Sequence, residues 1–130
     1  MPKRLKGRKL LNRKLDTAFS ILIRKKGRCE RCGRMDSLQD AHVVPKTNKA
    51  LRWDIFNHLC LCIRCHLWFA HKDPLAFTDW FCSAYPNRAK YLEENRTKLK
   101  KRTEDDLKEL LRNIENEDLH KLITFLQGGG

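Results

Sequence analysis

Apolar residues at Leu15, Ala18, Phe19, Leu22 and Ile23 recur at the three-and-four spacing of one helix face. The pattern predicts a helix from Leu15 that ends near Gly27, with Arg24, Lys25 and Lys26 in a last turn that suits the helix dipole. From Cys29 to Cys65 the helical period disappears, and Gly33, Pro45 and "KTNK" interrupt the chain. Two short strands are expected here, one near "DAHVVP" and one at "HLCLC", where Leu59 and Leu61 alternate with cysteines. A helix should follow from about Arg64 to His71. Asp73-Pro74 has the form of an N-cap and first helical position. The helix it opens places Phe77, Phe81, Ala84 and Tyr85 on one face and stops at Pro86. Beyond Pro86 the chain is helical and charged. Thr103 and Asp106 form a capping-box pattern, and Leu107, Leu110, Leu111 and Ile114 make an apolar stripe. A second stripe, Leu119, Leu122, Ile123 and Leu126, completes an α-hairpin that would pack on the domain or pair with a second copy as a homodimer.

This order of elements predicts an α+β chain. It divides into a basic arm (1–14), a compact domain (15–86), a helical extension (87–127) and a flexible glycine tail (128–130). A domain of this size buries one modest core and commonly relies on a metal as an extra clamp.

Charge changes the picture. The chain holds 28 Lys and Arg against 16 Asp and Glu, a net charge of +12. Thirteen basic and two acidic residues lie between Met1 and Arg34, so nearly all of the excess sits in the first third. Such a block beside a near-neutral remainder suits a polyanion, above all nucleic acid. A solubilising tail or a membrane-surface patch is the plainer alternative and ranks second, a charge run alone being weak evidence. No stretch has the ~18 apolar residues of a membrane span, and no secretion signal is expected at the N-terminus. Arg24, Lys25, Lys26, Arg28, Arg31 and Arg34 surround the first cysteine pair, and Lys46, Lys49 and Arg52 lie in the following loop. These are the expected phosphate contacts, giving affinity that falls with salt. Trp53 and Trp68 are expected as core or loop anchors rather than base-stacking surfaces.

The candidate chemistry is concentrated in the cysteines. Cys29-x2-Cys32 and Cys62-x2-Cys65 are two knuckles separated by 29 residues. Together they would give four thiolates to a closed structural zinc site. Buried, reduced thiols acting as small hydrophobes are the bland alternative. Cys60 competes with Cys62 through a Cys60-x4-Cys65 pairing, and Cys82 is expected as a buried thiol. Zinc does not account for His42, Asn57 and His66, which fall in the order His, Asn, His across the two knuckles.

At this point the chain resembles the HNH (ββα-metal) endonuclease family through "CERCG", "DAHVVP", "WDIFNHLCLCIRCH" and the closing Cys-x2-Cys-His. Within it the chain is most similar to phage NinG-like recombination nucleases and small phage HNH proteins, over roughly residues 15–85. The resemblance implies a ββα-metal core with a four-cysteine zinc, flanked by a basic helix and a helical hairpin. It implies an endonuclease that hydrolyses DNA, including branched or recombination intermediates, in the cytoplasm of a bacterium or phage-infected host. His42 would be the general base, Asn57 would hold the loop or the His42 ring, and His66 would bind a catalytic Mg²⁺, Mn²⁺ or other divalent ion. The Asn-x4-Cys spacing of the family selects Cys62 over Cys60.

Two positions depart from the family. Ala41 stands where many relatives have a second metal ligand, and Asp40 reaches the ion only if the strand ends in a bulge. His71 lies five residues after His66, about 140° around an α-helix, and is the weaker ligand candidate. A non-catalytic zinc module that binds nucleic acid is the alternative to the nuclease. A third reading is an adaptor that uses its C-terminal leucine stripes.

Overall fold

The computed structural model describes residues 7–98 and 101–116. Helix α1, Arg8–Arg24, buries Leu11, Leu15, Ala18, Phe19, Leu22 and Ile23 along one side. It begins seven residues earlier than its apolar stripe suggests. Leu11 extends the stripe by one turn and has somewhere to go, since Leu107 and Ile114 of the last described helix share its cluster. Residues 8–14 of the expected basic arm are therefore helical, and residues 1–6 lie outside the described residues. Gly7 precedes the helix at φ 58°, and a Cβ there would meet Glu104 Oε1 at 2.9 Å. At the other end Gly27, at φ 77°, turns the chain out of the helix as expected.

Strands β1, Leu38–His42, and β2, His58–Cys62, pair antiparallel without a bulge. Asp40 lies opposite Cys60, Ala41 opposite Leu59 and His42 opposite His58. Alternation gives the ribbon two different faces. Ala41, Leu59 and Leu61 join the cluster of Phe77, Phe81 and Leu92. Cys60 meets Ile23, and the His58 ring stacks on Phe19 of α1 at 4.4 Å. The ribbon is thus covered on both sides, and every residue of β2 is buried. The long connection between the strands ends in a single 3₁₀ turn, Ile55–Asn57, capped by the Asp54 carboxylate, which accepts from Phe56 N–H at 3.0 Å.

After β2 the chain forms a π-helical segment, Arg64–Ala70, where an α-helix is expected. The His71 N–H donates to the His66 carbonyl at 3.1 Å, an i to i+5 bond. This wider turn overturns the expected 140° offset. His66 and His71 stand one above the other with ring centroids 4.6 Å apart.

Helix α2, Pro74–Ala84, is capped by Asp73, which accepts from Ala76 N–H at 3.2 Å. Pro86 ends it and also opens helix α3, Pro86–Asn95, since proline suits a first helical position. Of the expected α2 face only Phe77 and Phe81 are buried; Ala84 and Cys82 are exposed, which corrects the buried-thiol expectation for Cys82. Helix α4, Glu104–Glu115, starts with the expected capping box: Thr103 Oγ1 accepts from Asp106 N–H at 3.1 Å, and Asp106 accepts from Thr103 N–H at 2.9 Å. Leu107 and Ile114 of α4 pack on α1. The second leucine stripe, with the hairpin or dimer it would form, and the glycine tail lie outside the described residues.

Candidate metal centre and the histidines around it

Two turns bring the four thiols together. In the first, Cys32 N–H points at Cys29 Sγ at 3.5 Å, Gly33 N–H donates to the Cys29 carbonyl at 2.9 Å, and Gly33 takes φ 79°. Only a residue without Cβ takes that backbone freely, which explains the glycine directly after the second cysteine. The second turn leaves β2 at Cys62, is tied to Ser37 through Ile63 N–H at 2.9 Å, and puts Cys65 in the π segment. The sulfurs of Cys29, Cys32, Cys62 and Cys65 all lie within 4.8 Å of one another, with Cys32 and Cys62 at 3.6 Å. Tetrahedral zinc with bonds of about 2.3 Å needs sulfurs about 3.8 Å apart, whereas a disulfide needs about 2.05 Å. The four cysteines therefore fit a zinc ion. Burial opposes the Cys29 thiolate, but N–H groups of Cys62, Cys32 and Arg31 outweigh it and bring the thiol down to about 7. Burial pushes Cys65 up to about 12, against the pull of the Arg31 guanidinium 3.6 Å from its sulfur. Cys60 stays out of the tetrad. It is fully buried against Ile23, and burial followed by the Glu30 charge raises it to about 11.

The histidines fall into two groups on opposite faces of the ribbon. On the α1 face, Asp40, His42 and His58 place one ligand atom each within 4.8 Å of one another. His58 Nδ1 is 2.8 Å from Asp40 Oδ1, and its Nε2 is 3.0 Å from the Arg52 carbonyl. The His42 ring lies 4.4 Å from that of His58. His42 Nε2 is buried without a hydrogen-bond partner. Burial, then the neighbouring His58, lowers His42 to about 4, so the ring is neutral at cellular pH. On the other side, His66 Nδ1 bonds to Gln39 Oε1 at 2.7 Å. Burial, then His71, lowers His66 as well, with Asp40 opposing. Among the described residues no cysteine, carboxylate or third histidine joins the His66–His71 pair within ligand range. With no bulge in β1, Asp40 joins His42 and His58 rather than His66.

Asn57 is fully buried and holds the loop, not the His42 ring. Its Oδ1 accepts from Val44 N–H at 2.7 Å, and its Nδ2 donates to the carbonyls of Val44 at 2.9 Å and Leu51 at 3.2 Å. These bonds fix the chain as it leaves His42.

The expected phosphate contacts divide. Arg24, Lys25, Arg28, Arg34, Lys46 and Lys49 are exposed. Lys26 is withdrawn: its side chain is 4% exposed and its ammonium pairs with Glu30 at 3.0 Å. Arg52 pairs with Asp16 at 3.1 Å, and Arg31 lies over the Phe69 ring at 3.5 Å. Trp53 is a core anchor against Phe19, whereas Trp68 is 64% exposed beneath the Lys72 ammonium, contrary to expectation.

Three important residues are not singled out by the motifs. His58 is one, although the alternation of "HLCLC" puts it on the Cys60 face. Arg88 and Glu30 are the others. Arg88 is 1% exposed, donates to the carbonyls of Phe56 at 2.8 Å and His58 at 3.0 Å, and lies 3.6 Å from Glu30. Its signal is the spacing Phe81, Tyr85, Arg88, Leu92, which carries one helical face across Pro86. No helix among the described residues is long and apolar enough to cross a membrane. Comparison with protein-family profiles, curated proteins and solved structures finds no match to this chain.

Proposed function

We propose that this chain is a metal-dependent endonuclease of the HNH type that hydrolyses DNA phosphodiester bonds, with branched or recombination intermediates among its substrates. The observation that carries the reading is the placement of His42 at the end of a two-stranded ribbon. Its exit loop is locked by Asn57, and a helical segment bearing His66 follows the ribbon directly. His42 is neutral at cellular pH and can accept a proton from water. His66 and the adjacent His71, whose rings meet edge to face, are the residues that would hold a divalent ion, which would supply charge stabilisation to the scissile phosphate. The four thiolates would hold zinc to brace the fold, and the exposed cations of the first third would neutralise DNA phosphates.

One observation favours a zinc module that binds nucleic acid without cutting it. Ala41 supplies no ligand beside His66, and β1 turns Asp40 and His42 to the other face. A cleavage panel on supercoiled plasmid, linear duplex and four-way junction decides between them. The nuclease reading expects nicking or cutting with Mg²⁺ or Mn²⁺, loss with EDTA, and at least 100-fold loss in His42→Ala and His66→Ala with the thiolate-bound zinc retained. Salt-sensitive binding with no cleavage under any divalent ion would establish the module instead.

A further inference from the structure

We infer that Asp40, His42 and His58 form a second cation site, separate from the four thiolates and from the His66–His71 pair, selective for a borderline divalent ion such as Zn²⁺ or Co²⁺. The three side chains come from facing positions of the ribbon: His42 and His58 are paired in register, and Asp40 lies two residues before His42 on the same face. Their ligand atoms all lie within 4.8 Å.

Hydrogen bonding prepares the site. The Arg52 carbonyl can only accept, so His58 Nε2 carries a proton and donates to it at 3.0 Å. That bond orients the ring in the way a ligating histidine is usually held, with its other nitrogen turned to the site. Nδ1 then faces the Asp40 carboxylate at 2.8 and 3.0 Å. Two lone-pair-bearing atoms at that separation need a positive charge between them, either a proton or a cation. In a tetrahedral shell with bonds of about 2.0–2.1 Å, neighbouring ligand atoms lie about 3.3 Å apart, so the pair needs to open by only about half an ångström to reach ligand spacing. The third donor is His42, whose Nε2 is buried and makes no hydrogen bond. A buried nitrogen without a partner is costly, and a metal bond would relieve it.

Two nitrogens and one carboxylate oxygen suit zinc or cobalt better than magnesium or calcium, which prefer all-oxygen shells. The surroundings are compatible with a dication. Asp16 lies within Coulombic range of His42 from α1, Lys46 opposes it from the loop, and the Phe19 ring backs His58. The side chains of Asp40 and His58 are 9% and 1% exposed, so a bound ion would be shielded from bulk water.

Occupancy would engage the lone pair of His42 Nε2. On the nuclease reading, and resting on it, zinc in this site would compete with the base and slow cleavage. Binding itself does not depend on that reading, so the test counts metal. The full chain, loaded through its four cysteines, is titrated with Co²⁺ and Zn²⁺ and bound metal is measured per chain. The expected result is an additional equivalent without the thiolate-to-cobalt absorption of the first, absent from both Asp40→Asn and His58→Gln and present in His66→Ala. Retention of the thiolate absorption shows that the variants fold. Wild-type protein that binds no such equivalent overturns the inference. So does an equivalent that survives both substitutions, or one that disappears with His66→Ala.

Discussion

His42 shows how a single side chain takes its properties from the ribbon that presents it. Its position opposite His58 buries the ring beside a second imidazole, and these two effects lower it to about 4 from an unfolded value of about 6.5. Above pH 6.5 the ring is neutral in the folded and unfolded chain alike, and its full contribution to stability is present. As pH falls from about 6.5 to about 4 the unfolded chain takes up a proton that the folded chain refuses. Stability therefore declines across that window and levels off below it. Urea midpoints measured from pH 7 to 4.5 should fall less steeply for His42→Gln than for wild type. Parallel slopes would place the titration elsewhere. Arg88 has the opposite character, a cation almost completely buried because its partners are. Glu30, two backbone carbonyls and the rings of Phe81 and Tyr85 surround it. Arg88→Ala should cost about 3–5 kcal/mol in urea unfolding, because the Glu30 carboxylate loses one of its two cations and the carbonyls of Phe56 and His58 lose their donor.

At the scale of elements, the periodic ones are legible in the sequence and the irregular one is not. Alternation places β2 at His58–Cys62, and the apolar stripes place α1, α2 and α4. What α1 lacks in the sequence is its first two turns, since Leu10-Leu11 is only a short apolar pair among cations until α4 covers Leu11. Leu107 is 1% exposed at that contact, so Leu107→Ala should destabilise the chain by about 2–5 kcal/mol and loosen the start of α1 in hydrogen exchange. The π segment is harder to read because nothing in local propensity marks a wide turn. Its one trace is the i+5 spacing of His66 and His71, which looks like a mismatch on an α-helix and becomes an edge-to-face pair on a π-helix. The same limit applies to the candidate sites. The four thiols are legible from their spacing, while the Asp40–His42–His58 group depends on strand register, which no single segment contains.

For the molecule as a whole, the four-thiol cluster and the core are joined through one residue. Glu30 sits between Cys29 and Cys32, and its carboxylate turns inward. It accepts from Lys26 Nζ at 3.0 Å, Cys60 N–H at 2.6 Å and the Tyr85 hydroxyl at 3.0 Å, and it faces Arg88. The four-residue turn Cys29–Cys32 thus connects the end of α1, the middle of β2, the end of α2 and the start of α3. If the thiolates release their ion, the turn loosens and two cations lose the carboxylate that compensates them. Zinc release by a chelator and the change in tryptophan fluorescence should follow one time course. A lag in which metal is gone but the fluorescence is native would separate the two events. The consequence reaches past folding. With zinc in the four thiolates, a chain whose interior charge is balanced through that turn would tie its lifetime to zinc supply, because the ion-free form is the one that proteases would cut. Scarcity of zinc would then lower its abundance before it altered any other property, so that metal availability acts on how many copies persist rather than on how each one works.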